Sequence, residues 1–106
     1  MKAERLKILE QFYEENPSDP FTLYGLALEY MELDPAKASA LFENLLTNFE
    51  NYLPTYYQAA SHFSSQAQSG KALEIATKGI EKAMAARELK TAGELRSLME
   101  LIDEGE

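Results

Sequence analysis

Leu23-Tyr24-Gly25-Leu26-Ala27-Leu28-Glu29-Tyr30 is answered 33 residues later, from position 56, by Tyr56-Tyr57-Gln58-Ala59-Ala60-Ser61-His62-Phe63. Leu23 matches Tyr56, Leu26-Ala27 matches Ala59-Ala60, and Tyr30 matches Phe63. The segments that follow keep step at an offset of 34, with Ala38, Leu41, Phe42, Leu45 and Leu46 opposite Ala72, Ile75, Ala76, Gly79 and Ile80. One residue is therefore missing from the first unit, around Asp34-Pro35. Unrelated amphipathic helices seldom hold such a register across a pair, so the chain reads as two copies of one helix-turn-helix unit. The logic of the pattern is a large residue, a small one where two helices cross closely, an aromatic, and another small residue in the second helix. Ala27, Ala60 and Gly79 are the expected close crossings.

Working outward, Leu6, Leu9, Phe12 and Tyr13 recur at three- and four-residue steps, the inward face of a helix ending near Glu15. Asn16-Pro17-Ser18-Asp19-Pro20 breaks it, with Asp19 as N-cap and Pro20 at the first helical position of a second helix, Pro20 to Leu33. Phe21, Leu23, Tyr24, Leu26, Ala27, Leu28, Tyr30, Met31 and Leu33 are too many for one stripe, which predicts a helix covered on more than one side. Asp34-Pro35 repeats the cap-and-proline device and opens a third helix with Ala38, Leu41, Phe42, Leu45, Leu46 and Phe49 inward. So short a connection requires an antiparallel αα-hairpin. A fourth helix is predicted over Leu53 to Ala67, with Gln68-Ser69-Gly70 as its stop. A fifth spans Lys71 to Ala86, with Ala72, Ile75, Ala76, Gly79, Ile80 and Ala83 inward. A sixth spans Glu88 to Ile102 and buries Ala92, Leu95, Leu98 or Met99, and Ile102, before an acidic tail to Glu106.

Composition narrows the function classes. The 106 residues and 11.9 kDa amount to one domain, and 45% hydrophobic with 26% charged residues is globular rather than disordered. Leu, Ala and Glu dominate and Val is absent, which favours helix. Ten Lys and Arg against 18 Asp and Glu give a net charge of -8, so a nucleic-acid backbone or an anionic membrane would be repelled over most of the surface. No Cys means no disulfide framework and no thiolate chemistry. Glu4 and Glu10 interrupt any signal-like apolar core, and no run approaches a membrane span. A cytoplasmic location, with neither nucleic acid nor membrane as partner, is the expectation.

The helix-turn-helix period, with Leu23, Leu26-Ala27, Tyr30, Ala38 and Phe42 followed by Tyr56, Ala59-Ala60, Phe63, Ala72 and Gly79, resembles the tetratricopeptide repeat. Pro17 resembles the proline that closes a preceding repeat. Glu50 and Met84 stand where the family often has that proline, and Ala76 where it prefers a larger residue. The resemblance covers about Pro20 to Met84. It implies an all-α fold, a right-handed superhelical stack of antiparallel αα-hairpins forming a single domain over 1-106. Residues 1-16 would be an N-terminal half-repeat helix, 20-50 and 53-86 the two repeats, and 88-102 a C-terminal capping helix.

Catalysis is not expected. The one histidine, His62, lies mid-helix with no carboxylate or thiol at helical spacing, and reads as a groove-lining or half-buried polar residue rather than a metal ligand. No glycine spacing suits a phosphate, and no cofactor is expected. Binding remains. Asn51 to Gly70 carries no formal charge, although it contains the whole fourth helix, whose non-core side offers Tyr57, Gln58, Ser61, His62 and Ser65. In the family the first helix of each repeat lines a concave groove that holds a peptide or a helix. The resemblance therefore implies a protein-protein interaction module or adaptor with Tyr24, Leu28 and Met31 from the first repeat and Tyr57, Gln58, Ser61 and Ser65 from the second. Some members clamp a C-terminal carboxylate with Lys, Asn and Arg. At the corresponding positions Tyr24, Leu28, Gln58, Lys90 and Glu94, only Lys90 keeps a clamp residue, so the clamp is not carried over. The competing expectation is a self-associating structural module whose groove is a homodimer interface, since large apolar patches rarely stay bare.

Overall fold

The computed structural model describes residues 2–105, and Met1 and Glu106, which fall inside the expected domain limits, lie outside that range. Six helices and, among the described residues, no strand make it an all-α helical-repeat fold: α1 (Lys2–Glu15), α2 (Pro20–Leu33), α3 (Pro35–Asn48), α4 (Pro54–Ser65), α5 (Ser69–Ala85) and α6 (Leu89–Glu104). Contacts divide the chain into two compact units, Met1–Tyr52 and Leu53–Glu106.

In the first unit α2 packs against both α1 and α3. The turn into α2 is held by polar groups. Asn16 Oδ1 accepts from the Ser18 N–H (3.3 Å), Asp19 Oδ1 accepts from the Phe21 N–H (3.0 Å), and the Thr22 hydroxyl donates to Asp19 Oδ2 (3.0 Å). This is the Asp-then-Pro start expected from the sequence. Between α2 and α3 a single residue, Asp34, both ends one helix and begins the next. Its N–H donates to the Tyr30 carbonyl (2.8 Å) while its carboxylate accepts from the Lys37 N–H (3.2 Å). That economy accounts for the residue missing from the first repeat. Leu23, Leu26, Ala27, Ala38, Phe42 and Leu45 form the core, none more than 2% exposed. Leu9 of α1 lies so near Gly25 that a β-carbon there would meet its side chain at 3.2 Å.

One expectation for this unit is corrected and a second is narrowed. Periodicity puts Phe12 on the inward face of α1, yet it is 50% exposed, because α1 packs on α2 along a seam that runs through Leu6, Leu9, Glu10 and Tyr13. α2 is covered on two sides, by α1 and α3, as its apolar set implies, yet Phe21 and Leu33 of that set are exposed, Phe21 by 68%. The buried positions of α2 are Thr22, Leu23, Leu26 and Ala27, one continuous stripe.

In the second unit α5 packs between α4 and α6, and α4 also touches α6. Gly79 of α5 lies where a β-carbon would come within 2.6 Å of Tyr56 Cβ and 2.9 Å of Leu95 Cδ1, which is the close crossing its register predicts. Ala59, Ala60, Ala72, Ala76, Ala83, Ala92 and Leu95 are fully buried in this unit.

The α4 stop differs from expectation. Gly70 lies inside α5, and Ala67 takes the left-handed conformation (φ 61°) that ends α4. The Gln68 N–H then returns to the Phe63 carbonyl (2.9 Å) and the Ala67 N–H to the Ser64 carbonyl (3.1 Å). Arg87 ends α5 in the same way, with φ 61° and a Glu88 N–H to Ala83 carbonyl bond of 2.8 Å. Both are Schellman-type terminations made without glycine.

Candidate partner-binding faces

On the first unit the candidate residues sit along α2. Leu28 is 36% exposed, Tyr24 and Met31 are half-buried, and Phe21 extends the same line at steps of three, four and three. The sequence reading does not name Phe21 for this face, although its spacing from Tyr24, Leu28 and Met31 is the available signal. The Tyr24 ring meets Tyr52 edge-on, with centroids 5.7 Å apart and planes at 62°. Burial first, and the neighbouring Tyr52 second, push the Tyr24 phenol above its ordinary 10.0. Tyr52 is raised as well, by burial and then by the Asp19 carboxylate. Nothing in the local pattern marks Tyr52 as part of this face, since the chain reaches it only after α3 has returned.

On the second unit the candidates lie along α4. Tyr57 is 39% exposed, Gln58 and Ser61 are half-buried, and Ser65 is exposed. Their segment carries no formal charge, so the face offers a phenol, an amide and hydroxyls in a neutral setting. Ser65 is partly committed already, since its hydroxyl donates to the His62 carbonyl (2.6 Å) at the helix end. His62 does not belong to this strip. It is 1% exposed, edge-on to Phe63 with centroids 5.3 Å apart, and forms with Thr55 and Ala59 a second buried line on α4. The expectation of a groove-lining or half-buried histidine is corrected accordingly. Lys90 is exposed in the first turn of α6, on a different helix from the other candidates of this unit. The second unit also has an open concavity of about 550 Å³, lined by Ser64, Ala67, Ser69, Leu101, Ile102 and Gly105, and it contains none of the candidates. Among the described residues no helix is long and apolar enough to cross a membrane, and no His, Cys, Asp or Glu group could hold a metal ion.

Hairpins built on a register of alternating large and small residues define an all-α helical-repeat protein. A tetratricopeptide repeat domain protein from Salinibacter ruber, determined by solution NMR, is 32% identical over 86% of this chain and 93% of its own, with a TM-score of 0.81. A crystal structure of a tetratricopeptide repeat domain protein from the same organism is 30% identical, covers 83% of this chain and 100% of its own, and has a TM-score of 0.77. No family model and no curated protein matches the sequence. The chain belongs to the tetratricopeptide repeat family.

Proposed function

We propose that this protein is a non-catalytic interaction module that holds a peptide or helical segment of another protein on the first helices of its hairpins. The contacts are Tyr24, Leu28 and Met31 of α2 and Tyr57, Gln58, Ser61 and Ser65 of α4, with Lys90 a peripheral charge. The observation that carries this reading is the character of α4. Its core positions Tyr56, Ala59, Ala60 and Phe63 are at most 2% exposed, while Tyr57 is 39% exposed in a segment without a formal charge. A helix face that only meets water usually carries charges. An aromatic ring surrounded by adaptable hydrogen-bonding groups is instead the chemistry of an interaction hot spot. The test is affinity capture with the wild-type chain and a Leu28→Glu, Tyr57→Ala variant whose helical content is unchanged. The proposal expects partners recovered by the wild type to be lost by the variant. Equal recovery would place binding elsewhere.

A further inference from the structure

An exposed flank of α1 has a two-fold arrangement of its own. Leu6, Leu9, Glu10 and Tyr13 are the half-buried positions, and Glu10 is drawn inward by the Tyr30 hydroxyl, which donates to its Oε1 at 2.6 Å. Helical geometry then gathers Arg5, Ile8, Phe12 and Glu15 along one exposed flank beside that seam, at steps of three, four and three, and its Arg5 end borders α2 at Glu29. Ile8 and Phe12 are each 50% exposed, the Arg5 side chain is 73% exposed, and Glu15 is exposed. Such steps are the spacing of a two-helix seam, in which antiparallel helices set each position against its mirror position. Here Ile8 and Phe12 are mirror positions about residue 10, and so are Arg5 and Glu15.

We infer that α1 is a self-association surface, pairing antiparallel with α1 of a second copy so that Ile8 packs on Phe12 and Arg5 meets Glu15, each contact twice. Charge complementarity selects the occupant and its direction. A parallel pair would set Arg5 on Arg5 and Glu15 on Glu15, whereas the antiparallel pair sets opposite charges outside an apolar centre, the usual order of rim and core. Arg5 already donates through Nη1 to Glu29 at 3.2 Å, and a guanidinium has further N–H donors for a second carboxylate. The seam is one helix of 14 residues, so the complex is a weak dimer rather than an obligate one. It uses none of the residues proposed to bind a partner on α2 and α4, and stands or falls separately from that reading.

The test is analytical ultracentrifugation of the full chain from micromolar to millimolar concentration, beside Arg5→Glu, Glu15→Arg and an equimolar mixture of the two. The wild type is expected to rise from 11.9 kDa toward twice that mass. Each charge reversal puts two like-charge contacts in the dimer and should weaken association by about tenfold or more. The mixture should recover it. At one end the carboxylate introduced by Arg5→Glu faces the guanidinium introduced by Glu15→Arg, and at the other the native Arg5–Glu15 pair is restored. Circular dichroism checks that the helices persist, and Glu15→Arg leaves the Arg5–Glu29 pair untouched. A wild type monomeric throughout, reversals without effect, or a mixture that fails to associate would each overturn the inference. So would a dimer abolished only by Leu28→Glu, which would assign the contact to α2.

Discussion

At the residue scale the smallest side chains have the most to say. A methyl group at Gly79 would overlap Tyr56 Cβ, which is anchored close to its own backbone and cannot swing aside, so Gly79→Ala is expected to cost about 1–3 kcal/mol in chemical denaturation. An unchanged denaturation midpoint would mean that α4 and α5 are not as close as they stand here. Gly70 is the opposite case. It is helical, and a β-carbon there meets nothing within 4 Å, so Gly70→Ala should stabilise by about 0.5–1 kcal/mol through helix propensity. Ala67→Gly and Arg87→Gly should each gain a similar amount, about 0.5–1 kcal/mol, by relieving a β-carbon in the left-handed region. The two kinds of glycine are not equally legible. Gly79 falls in a repeated register, and register reports packing. Gln68-Ser69-Gly70 looks like the α4 stop because glycine is the common terminator, but which residue turns left-handed depends on where the next helix must begin, and Ala67 accepts that strain.

At the scale of the element, helices with one apolar stripe are readable and helices with several are not. The residues buried in α5 and α6 follow the period with little deviation, as Ala72, Ile75, Ala76, Gly79 and Ala83 show. In α2 apolar residues surround most of the axis, so periodicity cannot say which of them meet a neighbour, and Phe21 emerges on the open side. Ala60 lies on the core side of α4 and Ser61 beside it. Ala60→Leu should therefore cost about 1–3 kcal/mol by overpacking, while Ser61→Glu should change stability by no more than about 0.5 kcal/mol. Comparable losses from both would dissolve the distinction between the two faces. Alkaline stability belongs to α2 and the residues around it. Tyr24 and Tyr52 hold their protons above 10.0 when folded, and Lys37, hydrogen-bonded to the Tyr30 hydroxyl, holds its own above 10.5. All three bind protons more tightly in the folded chain than in the unfolded one. Their stabilisation is complete below about pH 10 and is lost as pH rises through the folded values. Tyr52→Phe removes one of the phenols and one cause of the Tyr24 shift, and should flatten that loss in denaturation series run between about pH 9 and 11. An identical slope in the variant would show that the tyrosine pair does not set it.

For the whole molecule, a charge of -8 coexists with an α4 segment that has no charge at all, and the two predict different things about binding. If the acidic surface captured a basic partner, affinity would collapse as salt screens the charges, since the Debye length is about 10 Å at 0.1 M. If Tyr57 and Leu28 anchor the partner through apolar burial, affinity should change little between low and moderate salt, because water exclusion does not depend on distant charges. The variants separate these further. Tyr57→Ala or Leu28→Ala should cost about 2 kcal/mol or more if the side chain fills a desolvated pocket, and Lys90→Ala only a fraction of that as a rim charge. Tyr24→Ala is a less direct probe, because its ring also packs on Tyr52 and truncation disturbs folding and binding together. Calorimetry of the captured partner against these variants at two salt concentrations is the measurement. A steep salt dependence with Lys90 dominant would make electrostatics the principal contact and return a carboxylate clamp to consideration. Insensitivity to salt with Tyr57 dominant would assign the affinity to apolar burial, with the net negative charge outside the contact.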